Sequence, residues 1–243
     1  MEPAHWIPAG TANLLDVGCN TGDLLFDLQA AFPAIRLSGI DINQQAVAKA
    51  KKKLPDADIR QGFGFELPFA DNQFQCATCI EVIEHVPGQY RELLLSEIHR
   101  VLRPGGLFIL RCPHAGIFSW LDAQNFRFRF PRLYRTLVGR GGRDATYEEV
   151  KEELVWHHHF TREELLGLAG NNWRVEACQF GGLILFPISD ILRWPFYHSH
   201  RADNWIVRTL GSIASLELKY SFGRSSYGIL LALRKADSNG TRQ

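Results

Sequence analysis

A short glycine-containing segment, Asp16-x-Gly18-x-x-x-Gly22, carries the clearest chemical signal in the sequence. It follows an apolar run that reads as a strand and precedes a predicted helix, where small residues let the backbone turn tightly and approach a ligand. Its spacing differs from Gly-x-Gly-x-x-Gly, whose closely spaced glycines bring backbone amides up to a pyrophosphate. An acidic strand end followed by loop amides suits a ligand that carries an ammonium and a carboxylate group.

A second acidic strand end follows one βα unit later, at Asp41 in the segment Ser38-Gly-Ile-Asp-Ile42. A carboxylate in this place is positioned to accept hydrogen bonds from both hydroxyls of a ribose. Taken alone, Asp41 fits an NAD site and an adenosyl site equally, and it could also cap a helix or lie in solvent. The glycine loop before it favours a nucleoside without a pyrophosphate, which leaves an NAD-dependent enzyme as the weaker alternative.

Several histidines are candidates for general-base chemistry at an acceptor group. We expect His85 and His114 to be catalytic, because His85 follows one predicted strand and His114 follows the next, at the carboxyl edge where open α/β sheets bind ligands. The run from His157 to His159 is a further candidate. A solvated or locally hydrogen-bonded loop is the simpler interpretation for two of those three residues.

The segment Glu81-Val-Ile-Glu-His85 also permits a metal site. If the segment is helical, Glu81, Glu84 and His85 share one face, and a histidine from the 157–159 run would complete a divalent-metal site. The simpler alternative has the glutamate capping a turn and the histidine lining a pocket. We therefore expect no resident metal here, and keep the metal site as an alternative.

The elements that must position these residues alternate between short apolar runs and amphipathic stretches from residue 12 to residue 110. This alternation is typical of a parallel sheet covered by helices. We predict an α/β, Rossmann-like fold with a seven-stranded, mostly parallel sheet and helices on both faces. Strands are predicted at Asn13–Val17, Leu37–Ile40, Ala57–Arg60, Phe74–Ile80, Leu107–Cys112, Arg174–Phe180 and Tyr227–Leu233.

We predict a single domain of residues 1–243, in which two insertions interrupt the alternation of strands and helices. A cap or lid is predicted at about 113–159 and a largely helical insertion at about 188–218. The segment 118–135 within the cap interleaves aromatic and arginine residues. It reads as a lid over a hydrophobic acceptor, as a membrane-facing patch or as an oligomer interface, and a nucleic-acid surface is the weakest interpretation.

Composition excludes several classes of protein. The chain has 243 residues, a formal net charge of +1 and five cysteines without a zinc-type pairing. No global charge points to nucleic acid, and no apolar run approaches the roughly 20 residues that span a bilayer. With no secretory signal and isolated cysteines, we expect a reduced, cytoplasmic environment.

Five motifs occur together in an order that resembles class I S-adenosylmethionine-dependent methyltransferases acting on small molecules. The resemblance covers residues 12–112, and Glu81-Val-Ile-Glu-His85 is also similar to ubiquinone-pathway and small-RNA 3′-terminal O-methyltransferases. The five motifs are Leu14-Leu-Asp-Val-Gly-Cys-Asn-Thr-Gly22, Gly39-Ile-Asp41, Glu66-Leu-Pro-Phe69 with Asp71-Asn-Gln-Phe74, Glu81-Val-Ile-Glu-His85 and Leu102-Arg-Pro-Gly-Gly-Leu107.

The resemblance implies a cofactor site for S-adenosylmethionine, with S-adenosylhomocysteine as product. Asp16, Gly18, Cys19 and Gly22 would surround the methionine part, and the strand end near Cys79 would contact its amino group. The residues implied for the ribose and adenine are Asp41, Ile42, Phe63 and Gly64. The chain departs from the family at Phe63, where relatives often have an Asp for the adenine amino group, so Phe63 would pack on the purine while the Gly64 amide reaches a ring nitrogen.

We therefore expect a methyltransferase that modifies an oxygen, less readily a nitrogen or carbon, of a small hydrophobic or glycan-linked acceptor. Peripheral contact with a membrane fits the aromatic segment, whereas a nucleic-acid partner does not fit the charge. The alternatives are a metal-assisted RNA 3′-end 2′-O-methyltransferase and a non-catalytic adenosyl-binding scaffold. The sequence leaves the acceptor, the pathway and the oligomeric state open.

Overall fold

A computed structural model describes residues 3–122, 125, 129–130, 132, 157–198 and 205–236. Most of the predicted cap of 113–159 lies outside the described residues, including Phe126, Phe128 and Tyr134 of its aromatic segment. The chain divides into two compact units. The core unit comprises Glu2–Arg111, Glu163–Cys178 and Leu230–Gln243, and the second unit comprises mainly Cys112–Arg162 and Gln179–Ile229.

A seven-stranded sheet organises the chain, with strand order β3-β2-β1-β4-β5-β7-β6. The pairs β3/β2, β2/β1, β1/β4 and β4/β5 are parallel. This arrangement confirms the predicted Rossmann-like α/β class. The strands are β1 Asn13–Val17, β2 Arg36–Asp41, β3 Asp58–Gln61, β4 Phe74–Ile80, β5 Leu102–Pro113, β6 Trp173–Gly181 and β7 Gly228–Lys235.

The central strands are apolar because helices cover a parallel sheet on both faces. Leu14 and Leu15 in β1 are fully buried although they point to opposite faces, and the same holds for Ile229 and Leu230 in β7. Strand β7 is an interior strand, between β5 and β6. At its end the Lys235 ammonium donates hydrogen bonds to Asn72 Oδ1 and to two backbone carbonyls.

Six α-helices lie among the described residues. Helix α2 illustrates why they form where they do: the Asn43 side chain accepts hydrogen bonds from the Gln45 and Ala46 amides at its start, and three lysines occupy its last turn. The helices are α1 Asp23–Ala31, α2 Gln44–Lys53, α3 Gly88–Val101, α4 Arg162–Ala169, α5 Leu185–His198 and α6 Trp205–Glu217. Within these ranges and the rest of the described chain, no helix has the length and apolar character needed to cross a membrane.

Helices α5 and α6 occupy most of the predicted helical insertion of 188–218 and belong to the second unit. Their pairing is fixed by Glu217, a buried carboxylate at the end of α6. One of its oxygens accepts the Leu185 amide at 2.8 Å, which satisfies an unpaired donor at the start of α5.

Strand β5 begins five residues before its predicted start at Leu107. The Arg103–Gly106 segment, whose Pro-Gly-Gly sequence is typical of a turn, continues the strand instead. A register shift between Phe74 and Cys76 of the partner strand accommodates it, with Gly105 at φ +69°. A glycine-containing bulge thus replaces a turn, because a bulge lets one strand carry extra residues without leaving the sheet.

The Arg100 side chain fastens the β3–β4 loop to helix α3. Its guanidinium donates to the Leu67 carbonyl at 2.9 Å, the Phe69 carbonyl at 2.8 Å and the Asp71 carboxylate at 2.7 Å. Glu97 pairs with the same guanidinium and also accepts the Leu67 amide at 2.8 Å. Through these hydrogen bonds, Leu67, Phe69 and Asp71 fix the position of the β3–β4 loop against helix α3.

Replacing Arg100 with Met should lower the free energy of unfolding by about 2–4 kcal/mol, because several charge-assisted hydrogen bonds are lost together. Arg100→Lys should recover only part of this loss, since an ammonium lacks the planar fork. Urea denaturation measures both values. Arg174→Met is the matched control, because its ion pair with Glu176 is 72% exposed on the arginine side and should contribute under about 1 kcal/mol. Equal losses for Arg100→Met and Arg174→Met would refute the role of Arg100.

Candidate functional site

The strand order reverses between β1 and β4. From β1 the chain proceeds outward to β2 and β3, and then returns to β4 on the other side of β1. In open α/β sheets, ligands bind outside the carboxyl ends of the strands at such a switch point. The carboxyl ends here are Val17 of β1 and Ile80 of β4, which directs attention to the loops that follow them.

A cavity of about 300 Å³ opens at this switch point in the core unit. Its volume falls at the lower end of the range for small-molecule sites, about 300–1,000 Å³. Three residues predicted to bind cofactor line it, namely Asp16, Gly18 and Cys19. The other lining residues are Pro3, Asn20, Asp23, Leu24, Asp27, Ile80 and Arg111.

The loop after β1 is held by the carboxyl end of β2. The Ile40 carbonyl accepts hydrogen bonds from the amides of Gly18 at 2.8 Å and Cys19 at 3.0 Å. The Asp41 carboxylate accepts the Asn20 amide at 2.8 Å. The loop amides that the sequence assigns to the ligand are therefore partly used within the protein, and they fix the shape of the loop.

Position 18 requires a glycine for two reasons, its backbone conformation and the lack of room for a side chain. Its φ of +79° lies in the left-handed region that side chains disfavour, and a Cβ atom there would be 2.2 Å from Val82 Cγ2. Gly22, predicted alongside it, has φ +76° at the start of α1. The glycine spacing thus encodes a tight turn from β1 into α1.

Asp16 is buried at the end of β1, with 3% of its surface exposed, and still lines the cavity. Its Oδ1 accepts a hydrogen bond from the Thr78 hydroxyl at 2.7 Å. Burial raises the pKa of Asp16 to about 7, against the Thr78 hydrogen bond, and nearby Asp41 adds to the rise. The carboxyl group is therefore balanced between its neutral and ionised forms near neutral pH.

Asp41 ends β2 with both carboxylate oxygens engaged. Oδ2 accepts the Asn20 amide and Oδ1 accepts the Asn43 amide, each at 2.8 Å. The cap of α2 is Asn43, so Asp41 itself does not cap that helix. Each carboxylate oxygen has a second lone pair, which keeps Asp41 and its neighbour Ile42 compatible with the predicted ribose contacts.

The residues predicted to hold adenine lie in a packed aromatic region. Phe63 stacks on Phe65 with ring centroids 4.9 Å apart, and Phe65 stacks on Tyr90 at 4.5 Å. Gly64 has no space for a side chain, because a Cβ would be 2.8 Å from both Val17 Cγ1 and Leu94 Cδ1. Adenine binding by Phe63 and Gly64 stays a prediction.

The cysteines of the region are structural groups. Cys79 is fully buried in β4, and burial raises the pKa of its thiol well above the ordinary value. Burial likewise raises the pKa of Cys19, whose thiol lies 3.9 Å from the Asn20 carbonyl. Neither thiol is a thiolate nucleophile at neutral pH. A contact of the Cys79 strand end with a ligand amino group stays a prediction, and its neighbour Ile80 lines the cavity.

The Glu81–His85 segment does not form the α-helix on which its predicted metal arrangement depends. Glu81 has φ +55°, and only Ile83–His85 form a short 3-10 turn. The Glu81 carboxylate accepts a hydrogen bond from Arg111 Nε at 2.9 Å. Glu84 is fully buried, with His85 Nε2 at 3.9 Å from its Oε1. Arg111 thus engages Glu81, whereas Glu84 and His85 lie beside each other, and metal binding by this segment stays a prediction.

His114 belongs to the second unit, where it is buried. Its Nδ1 lies 2.9 Å from the Ser226 carbonyl, and its ring packs edge-on against Phe180. Because a carbonyl oxygen can only accept, Nδ1 carries the hydrogen in this contact. The catalytic roles of His85 and His114 stay predictions.

A second group of polar residues, also in the second unit, surrounds Asp122. His157 Nδ1 and His159 Nε2 both contact Asp122 Oδ2, the latter at 2.8 Å. Burial opposes ionisation of Asp122, but the two histidine hydrogen bonds outweigh it and hold the pKa of the carboxyl below its ordinary value. Sequence reasoning assigned no role to Asp122.

Two other residues escaped the sequence analysis, although the sequence carried a signal for each. Thr78 lies directly opposite Asp16 in the β1/β4 register, and a hydroxyl within an otherwise apolar strand indicates a buried polar partner. Arg111 follows the four apolar residues Leu107–Leu110 of β5 and lines the cavity. A charged residue near the carboxyl end of a buried strand is a signal for a ligand-binding edge.

Part of the chain matches a known protein family. Residues 15–110 match the family model described as a methyltransferase domain. These residues are a methyltransferase domain. The match confirms the predicted family for this part of the chain, and the Asp16–Gly22 loop and Asp41 both lie within it.

Two relatives extend this finding. The methyltransferase domain lies in a stretch of 110 residues that is 36% identical to a probable S-adenosylmethionine-dependent methyltransferase of Mycolicibacterium smegmatis, covering 44% of this chain and 40% of that protein. A demethylmenaquinone methyltransferase of Staphylococcus aureus is 32% identical over 149 residues, which cover 58% of this chain and 57% of that protein. The chain thus spans 40% to 57% of the lengths of these relatives.

A solved structure supports the fold beyond the methyltransferase domain. A geranyl diphosphate methyltransferase in complex with GPP and sinefungin superimposes with a TM-score of 0.58 at 15% identity. The alignment covers 96% of this chain and 74% of that one. At this identity the likeness establishes a shared fold.

Gly18→Ala should lower the free energy of unfolding by about 2–4 kcal/mol, because left-handed strain and a clash with Val82 add together. The double variant Gly18→Ala/Val82→Ala should retain only the strain, about 1–2 kcal/mol relative to Val82→Ala. Denaturant unfolding measures each value. Gly170→Ala is the matched control, since Gly170 has φ +74° with nothing within 4 Å of a built Cβ. A Gly18→Ala loss no larger than the Gly170→Ala loss would exclude the clash.

Binding of S-adenosylmethionine should tighten about tenfold from pH 6 to pH 8, because only ionised Asp16 attracts a cationic ligand and its pKa is about 7. The sign follows from the raised pKa: lowering the pH protonates Asp16 and removes the attraction. Calorimetry across this range measures the dissociation constant. Asp16→Asn, a neutral isostere, should bind more weakly and lose the pH dependence. A wild-type protein whose affinity does not change between pH 6 and pH 8 would contradict this role.

Proposed function

We propose that the chain transfers a methyl group from S-adenosylmethionine to an oxygen of a small hydrophobic or glycan-linked acceptor. The observation that carries the proposal is the cavity at the β1/β4 switch point, which presents an acidic group, Asp16, and a basic group, Arg111. A zwitterionic amino acid requires both charges. The family of residues 15–110 supplies the reaction class.

The methionine end of the cofactor fits the charges of this cavity. The Asp16 carboxylate attracts the ammonium and the sulfonium, and the Arg111 guanidinium pairs with the carboxylate. Arg111 is steadied by its hydrogen bond to Glu81, so its position does not depend on the ligand. On this proposal Gly18, Cys19 and Gly22 shape the wall, and Ile80 with the adjoining Cys79 strand end forms the floor.

The nucleoside end requires contacts from the next two strand ends. Asp41 accepts the ribose hydroxyls while Ile42 packs on the nucleoside. Phe63 offers an aromatic face for the adenine in place of the carboxylate common in relatives, and the Gly64 amide faces a ring nitrogen. The stack of Phe63 on Phe65 supports this proposal, because it shows that the segment is built for flat, apolar contacts.

Methyl transfer from a sulfonium is an in-line displacement with a good leaving group. The protein supplies alignment and, for a hydroxyl acceptor, a base. His85 in the core unit and His114 in the second unit are the proposed bases. The Ser226 carbonyl orients the His114 ring through its Nδ1, and Nε2 is the nitrogen that we propose takes the proton.

The hydrophobic character of the acceptor rests on two observations. One relative is named for demethylmenaquinone, an apolar quinone. In the second unit, large apolar side chains near the predicted lid are exposed, with Ile117 at 60%, Trp120 at 56% and Phe130 at 54%. Exposed apolar groups of this size are typical of surfaces that receive an apolar partner.

Release of S-adenosylhomocysteine from S-adenosylmethionine tests the proposal directly. We expect turnover with a reduced, hydroxyl-bearing quinone or phenol and none with a short RNA duplex. Replacing the acting base, by His85→Ala or His114→Ala, should lower kcat by about 10²–10⁴ while leaving cofactor affinity unchanged. His158→Ala is the control histidine. Cofactor binding without turnover on any acceptor would favour a non-catalytic scaffold, and turnover on RNA ends that weakens steeply with salt would favour the RNA alternative. Either result overturns the proposal.

A further inference from the structure

Asp122, His157 and His159 form a buried cluster in the second unit, and none of the three is needed for the proposed methyl transfer. One ligand atom from each, a carboxylate oxygen and two ring nitrogens, lies within 4.8 Å of the other two. The Asp122 side chain is 1% exposed, that of His157 9% and that of His159 8%. Imidazole and carboxylate groups that converge on one point are candidate ligands for a cation.

The donor set matches the chemistry of divalent transition metals. Two imidazole nitrogens and one carboxylate oxygen form the combination that binds Zn²⁺ and non-haem Fe²⁺ in proteins, whereas Ca²⁺ and Mg²⁺ prefer oxygen ligands. The chain spacing is also suitable, because His157 and His159 are two residues apart and Asp122 reaches them from 35 residues away. A metal bond would thus join two distant parts of the second unit.

Outer contacts already orient the ligands. His159 Nδ1 faces the His114 carbonyl at 3.1 Å, which directs Nε2 toward Asp122. Metal-bound histidines characteristically donate their other ring hydrogen to a backbone carbonyl or a carboxylate in this way. Asn125 holds the backbone of His157 by accepting its amide at 2.9 Å and donating to its carbonyl at 2.8 Å.

Both histidines direct a ring nitrogen at the same oxygen, Asp122 Oδ2. With a divalent ion among these three atoms, the ring nitrogens would give lone pairs to the metal, and the carboxylate would supply negative charge to the cation.

We propose that Asp122, His157 and His159 bind one divalent transition-metal ion in the second unit. This ligand set differs from the metal site considered from the sequence, which combined Glu81, Glu84 and His85 with one histidine of the 157–159 run. Three protein ligands leave at least one coordination position for water or for an oxygen of a bound molecule, as in open metal sites. The ion would also fix the short 3-10 turn Ser119–Leu121 relative to the segment that contains His157 and His159.

The direct experiment is titration of the chelator-treated, dialysed full chain with Zn²⁺, Co²⁺ or, without oxygen, Fe²⁺. We expect one equivalent to bind, and the Co²⁺ form to show visible absorption characteristic of a low-coordinate nitrogen and oxygen site. Asp122→Asn and His159→Gln should weaken binding at least about tenfold. His158→Gln is the matched control, because its ring packs on Phe160 outside the ligand set, and it should bind like the wild type.

The wild-type titration decides the proposal even where a variant fails to fold, which circular dichroism would reveal. Failure of the wild-type chain to bind one equivalent of any of the three ions overturns it. Unchanged affinity in folded Asp122→Asn overturns the ligand assignment. Because the readout is metal stoichiometry, its failure leaves methyl transfer untouched, and a failure of methyl transfer leaves the metal site untouched.

Discussion

The cofactor edge of the sheet depends on the hydrogen bonds that join the loop after β1 to the end of β2. The Ile40 carbonyl accepts hydrogen bonds from the amides of Gly18 and Cys19, and the Asp41 carboxylate accepts one from the amide of Asn20. Three successive amides of the loop after β1 are thus fixed by the end of β2. The loop can follow this path only with a left-handed residue at position 18 and no side chain against Val82. The left-handed glycine and the path of the loop that borders the cavity both belong to this one local hydrogen-bond arrangement.

The family motifs divide into two physical classes. Asp16 remains at the cavity and carries an unusual protonation balance, which its burial creates and the Thr78 hydroxyl moderates. Leu67, Phe69 and Asp71 instead serve the scaffold, because their polar groups are occupied by Arg100. A family motif therefore does not always contact the cofactor. Some motif residues instead fix a loop of the scaffold.

Much of the fold was predictable because it follows from local patterns. Strands β1 and β4 have the predicted bounds, since their buried apolar runs end at a glycine loop or a polar turn. Strand β5 was placed five residues late, because its bulge depends on pairing with β4 and turn-forming residues mask it. The Asp16–Gly22 loop was found from spacing alone. Asp122 was missed because its partners lie 35 and 37 residues away in the chain, and no local pattern encodes such a distance.

The position of strand β7 in the sheet has a consequence for folding during synthesis. It lies between β5 and β6, although both of those strands precede it in the chain. While the ribosome is still translating, β5 has an unpaired edge, and β6 has no place in the sheet until β7 arrives to bridge the gap. Open strand edges attract other chains, so the nascent protein is most prone to aggregation in this interval. Completion of the sheet must therefore follow synthesis of β7.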